Sequence, residues 1–166
     1  MAKKKEIKYN LLNKTANESG TIFDTHDGIH YVGNVYCVVY GMDDDEFNLA
    51  IDKSKAKEYN GLGEKVTNVV KNLKSSNTTA EYTNICYDSY EGMLHYFRTN
   101  KGNIIRLNGK FFEIVKDLDI VNVYGLNMQD AIVFELKDGK GVMIFPMLKS
   151  DGKNEMIEKI IEKICC

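Results

Sequence analysis

The sequence predicts an α+β fold of two αβββ/βαβββ-like halves, with antiparallel sheets, short helices packed on one side, and a C-terminal helix. Three observations carry that expectation. Short runs rich in β-branched and aromatic residues recur along the chain, divided by turns containing Gly, Asn and Asp. Segments with apolar residues at helical spacing lie between those runs. The order helix, strand, strand, strand of residues 3–42 returns, after a leading strand, within residues 82–148. These halves and a connector at 43–81 form one domain over residues 1–148, followed by an amphipathic helix over 149–166.

The first element is "KKKEIKYNLLNKTANE", where Ile7, Leu11 and Leu12 fall on one side among lysines and asparagines, and Gly20 supplies a stop. Residues 21–42 then turn aromatic and β-branched. Breaks at "HDG" and "GN" divide them into strands at about 21–25, 29–33 and 35–41. In the connector, "MDDDEF" places three successive acids in a solvated loop that favours solubility. "VTNVVKNLK" is a helix, because Val66, Val69, Val70 and Leu73 recur at i, i+3, i+4 and i+7. "SSNTT" closes the connector as a polar loop.

Strands follow near 82–88, 92–98 and 103–107, separated by "YEG" and "NKGN" turns. "NGKFFEIVKDLD" is a second short helix with Phe111, Val115 and Leu118 on one face. "VNVYGLN", "AIVFELK" and "GVMIFPML" give three more strands, the last two joined by a "DGKG" hairpin turn. Pro146, the only proline, sits late in an apolar strand, which fits a sheet edge where no ladder donor is needed. The tail "KNEMIEKIIEKICC" sets Ile157, Ile160, Ile161 and Ile164 at helical spacing and must cover something apolar.

Composition bounds the function. A formal net charge of −2 argues against binding nucleic acid by bulk electrostatics, although a locally basic face is compatible with it. No apolar run approaches the roughly 20 residues that span a bilayer, and "MAKKKEIKYNLLNK" has no apolar signal core, so a cytoplasmic location is expected. Cys37, Cys86, Cys165 and Cys166 show no C-x-x-C spacing. The first two are expected as buried reduced thiols, and no structural zinc or other cofactor is expected.

The densest set of reactive side chains is "FDTHDGIH", with Asp24, His26, Asp27 and His30 in eight positions. Asp27 and Gly28 are what a two-residue hairpin loop demands, since both tolerate positive φ. A hydrolytic metal centre is the alternative. It would draw on Asp24, His26 and Asp27 with His95 as the distant imidazole. "GLGEK", residues 61–65, has neither phosphate-loop nor dinucleotide-loop spacing and reads as the lead-in to the following helix. No serine stands in G-x-S-x-G, and the run Asp43, Asp44, Asp45 is read as a solvated charge cluster.

The stretch "IRLNGKFFEIVKDLDIVNVYGLNMQDAIVFELKDGKGVMIFPML", Ile105 to Leu148, resembles the last half-domain of bacterial DNA polymerase III β sliding clamps, with "MIFPM" at the family's closing V-M-P-M-like motif. The resemblance implies a DNA-clamp-like domain with helices on an inner face and sheets outside. It implies a non-catalytic module that binds a peptide motif of a protein partner in an apolar groove, here Met143, Phe145, Pro146 and Met147. It also implies weak DNA contact through inner-face cations, here Lys8, Lys14, Lys110 and Lys116. A ring would require a homo-oligomer of about six copies of so short a chain. Two other functions compete with this expectation. One is a phage or mobile-element inhibitor of a host defence protein, in keeping with an asparagine- and lysine-rich composition. The other is the metal-dependent hydrolase just described.

Overall fold

In the computed structural model, which describes residues 6–14, 20–89, 92–127, 130–145 and 159–161, the predicted meanders form and then join. Helix α1 (Tyr9–Lys14) leads into β1 (Ile22–His26), β2 (Ile29–Gly33) and β3 (Cys37–Met42). Helix α2 (Asp44–Ala50), β4 (Lys57–Glu58) and helix α3 (Leu62–Ser76) occupy the connector. Strands β5 (Ala80–Ser89), β6 (Gly92–Thr99) and β7 (Ile104–Asn108) precede helix α4 (Gly109–Val115). The last described meander is β8 (Ile120–Tyr124), β9 (Ile132–Leu136) and β10 (Gly141–Ile144), with a tight turn at Lys137–Gly139 where "DGKG" was expected to reverse the chain.

The strands form a seven-stranded sheet in the order β4-β1-β2-β3-β10-β9-β8 and a separate sheet in the order β5-β6-β7. The α+β class agrees with the sequence, as does the antiparallel pairing apart from the short parallel pair of β1 with β4. The two halves, however, do not keep separate sheets. β3 pairs antiparallel with β10, so β1-β2-β3 and β10-β9-β8 read alike from either end of the large sheet. Helices α1 and α4, which precede those two meanders, touch each other. The repeated element order thus corresponds to two similar units facing each other across the β3–β10 seam.

Strand alternation gives this sheet two apolar faces. Phe23, Val32, Val39, Val142, Phe134 and Val123 stand successively opposite one another, forming one row across six strands. That row belongs to the main core with Leu12 of α1, Phe47 and Ala50 of α2, Phe111, Ile114 and Val115 of α4, and Phe97, Ile105 and Leu107 of the small sheet. Phe97 meets Phe134 edge-on at 5.7 Å. The opposite face carries Tyr31, Val38, Val133 and Met143, against which α3 sets Leu62, Val66 and Leu73. The expectation of helices on one side therefore holds for α1, α2 and α4 but not for α3. The connector is a structural layer: its valine stripe needed an apolar surface, and the second sheet face supplied one.

Two local expectations change for identifiable reasons. "MDDDEF" is a helix start, because Asp43 caps α2 by accepting from the Glu46 amide at 2.8 Å, and Asp44, Asp45 and Glu46 fill the first turn. Glu46 also pairs with Lys140 of the β9–β10 connection. The strand before Pro146 is central rather than an edge, but its ladder pairs end at Ile144, so the proline follows the last of them. Of the tail helix only residues 159–161 are described, and there Ile161 is buried against Leu94, Tyr96 and Ile104 on the outer face of the small sheet. Cys37 is buried as expected, whereas Cys86 is exposed on β5. Cys165 and Cys166 lie outside the described residues. Among the described residues, no helix is long and apolar enough to cross a membrane.

Candidate functional site

"FDTHDGIH" folds as a tight hairpin, with Asp27 and Gly28 at φ 51° and 75° between paired His26 and Ile29. Asp24 is buried and faces α3. Its carboxylate accepts from the Gly63 amide at 2.8 Å and the Thr25 amide at 2.9 Å. The residue at the α3 N-cap is Gly61, which has no side chain, so Asp24 supplies the oxygen that such a helix start requires. Gly63 permits the approach: a Cβ there would lie 2.5 Å from His26 Cβ and 2.8 Å from the Tyr31 ring. "GLGEK" is accordingly a helix start capped from a neighbouring strand, and its Gly63 amide is already engaged.

The histidines are likewise held by neighbours. His30 contacts the Thr25 hydroxyl at 2.8 Å and Asp44 at 2.5 Å, and it stacks on Phe47 with ring centroids 4.2 Å apart. This joins the hairpin to α2. His95 lies on the other sheet, contacts the Tyr82 hydroxyl at 2.8 Å and stacks on Phe112 at 3.9 Å. Burial holds its pKa below the usual histidine value. The hydrolase cluster of Asp24, His26, Asp27 and His95 is therefore not assembled: Asp24 caps a helix and His95 is in a different sheet. Among the described residues, no three His, Cys, Asp or Glu converge to hold a metal ion.

A surface cluster does form where the β2–β3 loop, the end of β10 and α4 meet. Asn34 is buried, accepts from the amides of Tyr36 at 2.8 Å and Cys37 at 3.1 Å, and so fixes a short loop. The loop leaves Val35 54% and Tyr36 39% exposed. The Phe145 amide donates to the Tyr36 carbonyl at 2.9 Å, so the backbones of the two residues adjoin, and Phe145 is 41% exposed. Lys110 sits over the Tyr36 ring at 5.9 Å and the Phe111 ring at 5.1 Å. An aromatic and aliphatic surface with a cation at its border can take an apolar side chain and an adjacent carboxylate.

The residues expected in a groove separate here. Phe145 is on the surface, but Met143 is 3% exposed beneath α3, because strand alternation turns it to the opposite sheet face. Pro146 and Met147 lie outside the described residues. Of the expected DNA-facing cations, Lys8 meets Asp117 at 3.6 Å and Lys116 meets Glu113 at 2.9 Å. Lys110 faces aromatic rings, and the side chain of Lys14 lies outside the described residues. Sequence reasoning missed Val35, Tyr36 and the buried Asn34. The signal was available in "GNVYC", where a Gly-Asn turn is followed at once by two large apolar residues. No family model, no curated protein and no solved structure matches this chain.

Proposed function

We infer that the chain is a non-catalytic binding module that engages a linear segment of a protein partner through Val35, Tyr36 and Phe145. The observation that supports this reading is the convergence of three separate elements on one exposed apolar cluster bordered by Lys110. Single exposed apolar residues are ordinary on protein surfaces, but three on adjoining backbone, with their loop tied down by Asn34, are suited to recognition. The small extent of the patch favours a short peptide over a folded domain, and Lys110 favours an acidic residue beside the peptide's apolar anchor.

DNA is the weaker partner. Lys8 and Lys116 already face carboxylates, so few cations are left to replace phosphate counterions on the α1–α4 surface.

The test uses a fluorescent peptide carrying adjacent Leu and Phe residues next to Asp, read by anisotropy. Phe145→Ala should weaken binding by about tenfold or more, and Lys110→Glu should remove the preference for the acidic peptide over its Asn counterpart. Binding of the wild-type level by Phe145→Ala would eliminate this surface. A duplex oligonucleotide bound tightly, with affinity falling steeply as salt rises, would instead favour DNA.

A further inference from the structure

A cleft of about 540 Å³ opens on the α3 side of the large sheet, away from the surface proposed above. Its size lies within the ~300–1,000 Å³ usual for small-molecule sites. Ile29, Val66 and Val70 give it aliphatic walls. The hydroxyls beside them fall into two groups. Thr67 donates to the Gly63 carbonyl at 2.7 Å and meets the Tyr31 hydroxyl at 3.0 Å, so that pair is satisfied internally. Tyr40 also lines the cleft, and its hydroxyl, which packs over Gly141, has no hydrogen-bond partner among the described residues.

The charged side chains that line the cleft are cationic, and the nearby Glu135 carboxylate, which flanks Gly141 opposite Tyr40, is paired with Lys74. The lining includes Lys71 and Lys74 and no acidic residue. Lys74 is engaged by Glu135 and lies over the Tyr124 ring at 6.0 Å. Lys71, one turn earlier on α3, accepts from the Ser75 hydroxyl at 2.9 Å through its backbone carbonyl, while its ammonium group has no ion pair or hydrogen bond among the described residues. A ligand lying in this open cleft would rest on a mostly hydrocarbon wall, with one free ammonium group and one free hydroxyl at the polar end. Burying hydrocarbon drives association, whereas an anion gains most beside an unpaired cation at the edge of a low-dielectric cleft.

We propose that the cleft between α3 and the large sheet binds an amphipathic carboxylate, its hydrocarbon against Ile29, Val66 and Val70 and its headgroup on Lys71 and the Tyr40 hydroxyl. Both ends of this ligand are complementary to what the cleft leaves unsatisfied. An uncharged ligand would ignore Lys71, and a cation would be repelled by it.

The experiment titrates the intact chain with decanoate, decanol and decyltrimethylammonium, each below its micellar concentration, by calorimetry and thermal shift. Decanoate should bind saturably and about tenfold tighter than decanol, with the ammonium probe weakest. Lys71→Glu should abolish the preference for decanoate while leaving the unliganded melting temperature unchanged. Val70→Phe, which fills the cleft, should weaken decanoate and decanol alike. Tyr40→Phe serves as the conservative check on the hydroxyl and should reduce decanoate binding alone. Absence of saturable binding by the wild type overturns the proposal. So does equal affinity for decanoate and decanol, or decanoate binding that Lys71→Glu leaves unchanged.

Discussion

Among the described residues, one face of the seven-stranded sheet lies under three helices and a second sheet, while α3 is the one helix on the other, and the two covers differ in how completely they close. On the first face, side chains from α1, α2, α4, β6 and β7 meet the Val32–Val39–Val142–Phe134 row. On the second, one helix of fifteen residues covers the middle of the sheet and leaves a cleft along its flank. A single cylinder cannot cover a twisted sheet several strands wide. The difference teaches that stability and binding capacity lie on opposite faces of the same strands, whose alternating side chains serve both.

The sharpest way to test that division is to damage each face separately. Phe134→Ala on the closed face removes a fully buried ring from between Phe97 and the valine row and should cost about 3–5 kcal/mol in urea unfolding. A cost under about 1 kcal/mol would show that the closed face is not the main core. Asp24→Ala takes away the carboxylate that caps α3 from β1 and should cost about 1–2 kcal/mol, with the loss of amide-exchange protection concentrated in the first turn of α3. Protection unchanged at Gly63 would detach the open face's helix from this anchor.

A pH titration sharpens the comparison further. His95, on the closed side, has a folded pKa held below its ordinary value by burial, so the folded state binds a proton less readily than the unfolded chain. Its contribution is complete above the unfolded histidine value of about 6.5 and is lost as pH falls from there towards the lower folded pKa. His95→Phe should flatten that part of the stability profile, and a profile that stays unchanged would remove His95 as its source. On the open side, Lys74 is the largest influence holding the Glu135 carboxyl below its usual pKa. That stability is present above the unfolded glutamate value and lost as pH falls through the folded one. Lys74→Ala should have the smallest effect of the four, about 0.5 kcal/mol or less for a pair whose lysine is half exposed to solvent screening, and that effect should vanish in acid. A cost above about 1 kcal/mol would mean that Lys74 also supports the α3 packing.

Much of this architecture was legible in the sequence because alternation and turn chemistry are local. "HDG" gave a hairpin at Asp27 and Gly28, "GN" separated β2 from β3, and the 66–73 stripe marked α3. Partner choice was not legible. Nothing local distinguishes β10, which pairs with distant β3, from β7, which among the described residues pairs with β6 alone. Helix α2 was hidden because three aspartates read as solvated charge, although Asp43 and Glu46 at i and i+3 have the spacing of a helix start. At the candidate surface, Phe145 and Lys110 were legible as individual residues. Tyr36 became visible only when its loop and the end of β10 met through a backbone hydrogen bond.

The β3–β10 seam also dictates the order of events on the ribosome. Met42 emerges roughly a hundred residues before Gly141, and through that interval the outer edge of β3 has no strand to pair with. The nascent chain therefore carries an open, β-branched edge through that interval, and the large sheet closes only once β10 has emerged. Chaperone dependence or aggregation during production should consequently track truncations that delete β10 more closely than those that shorten the small sheet.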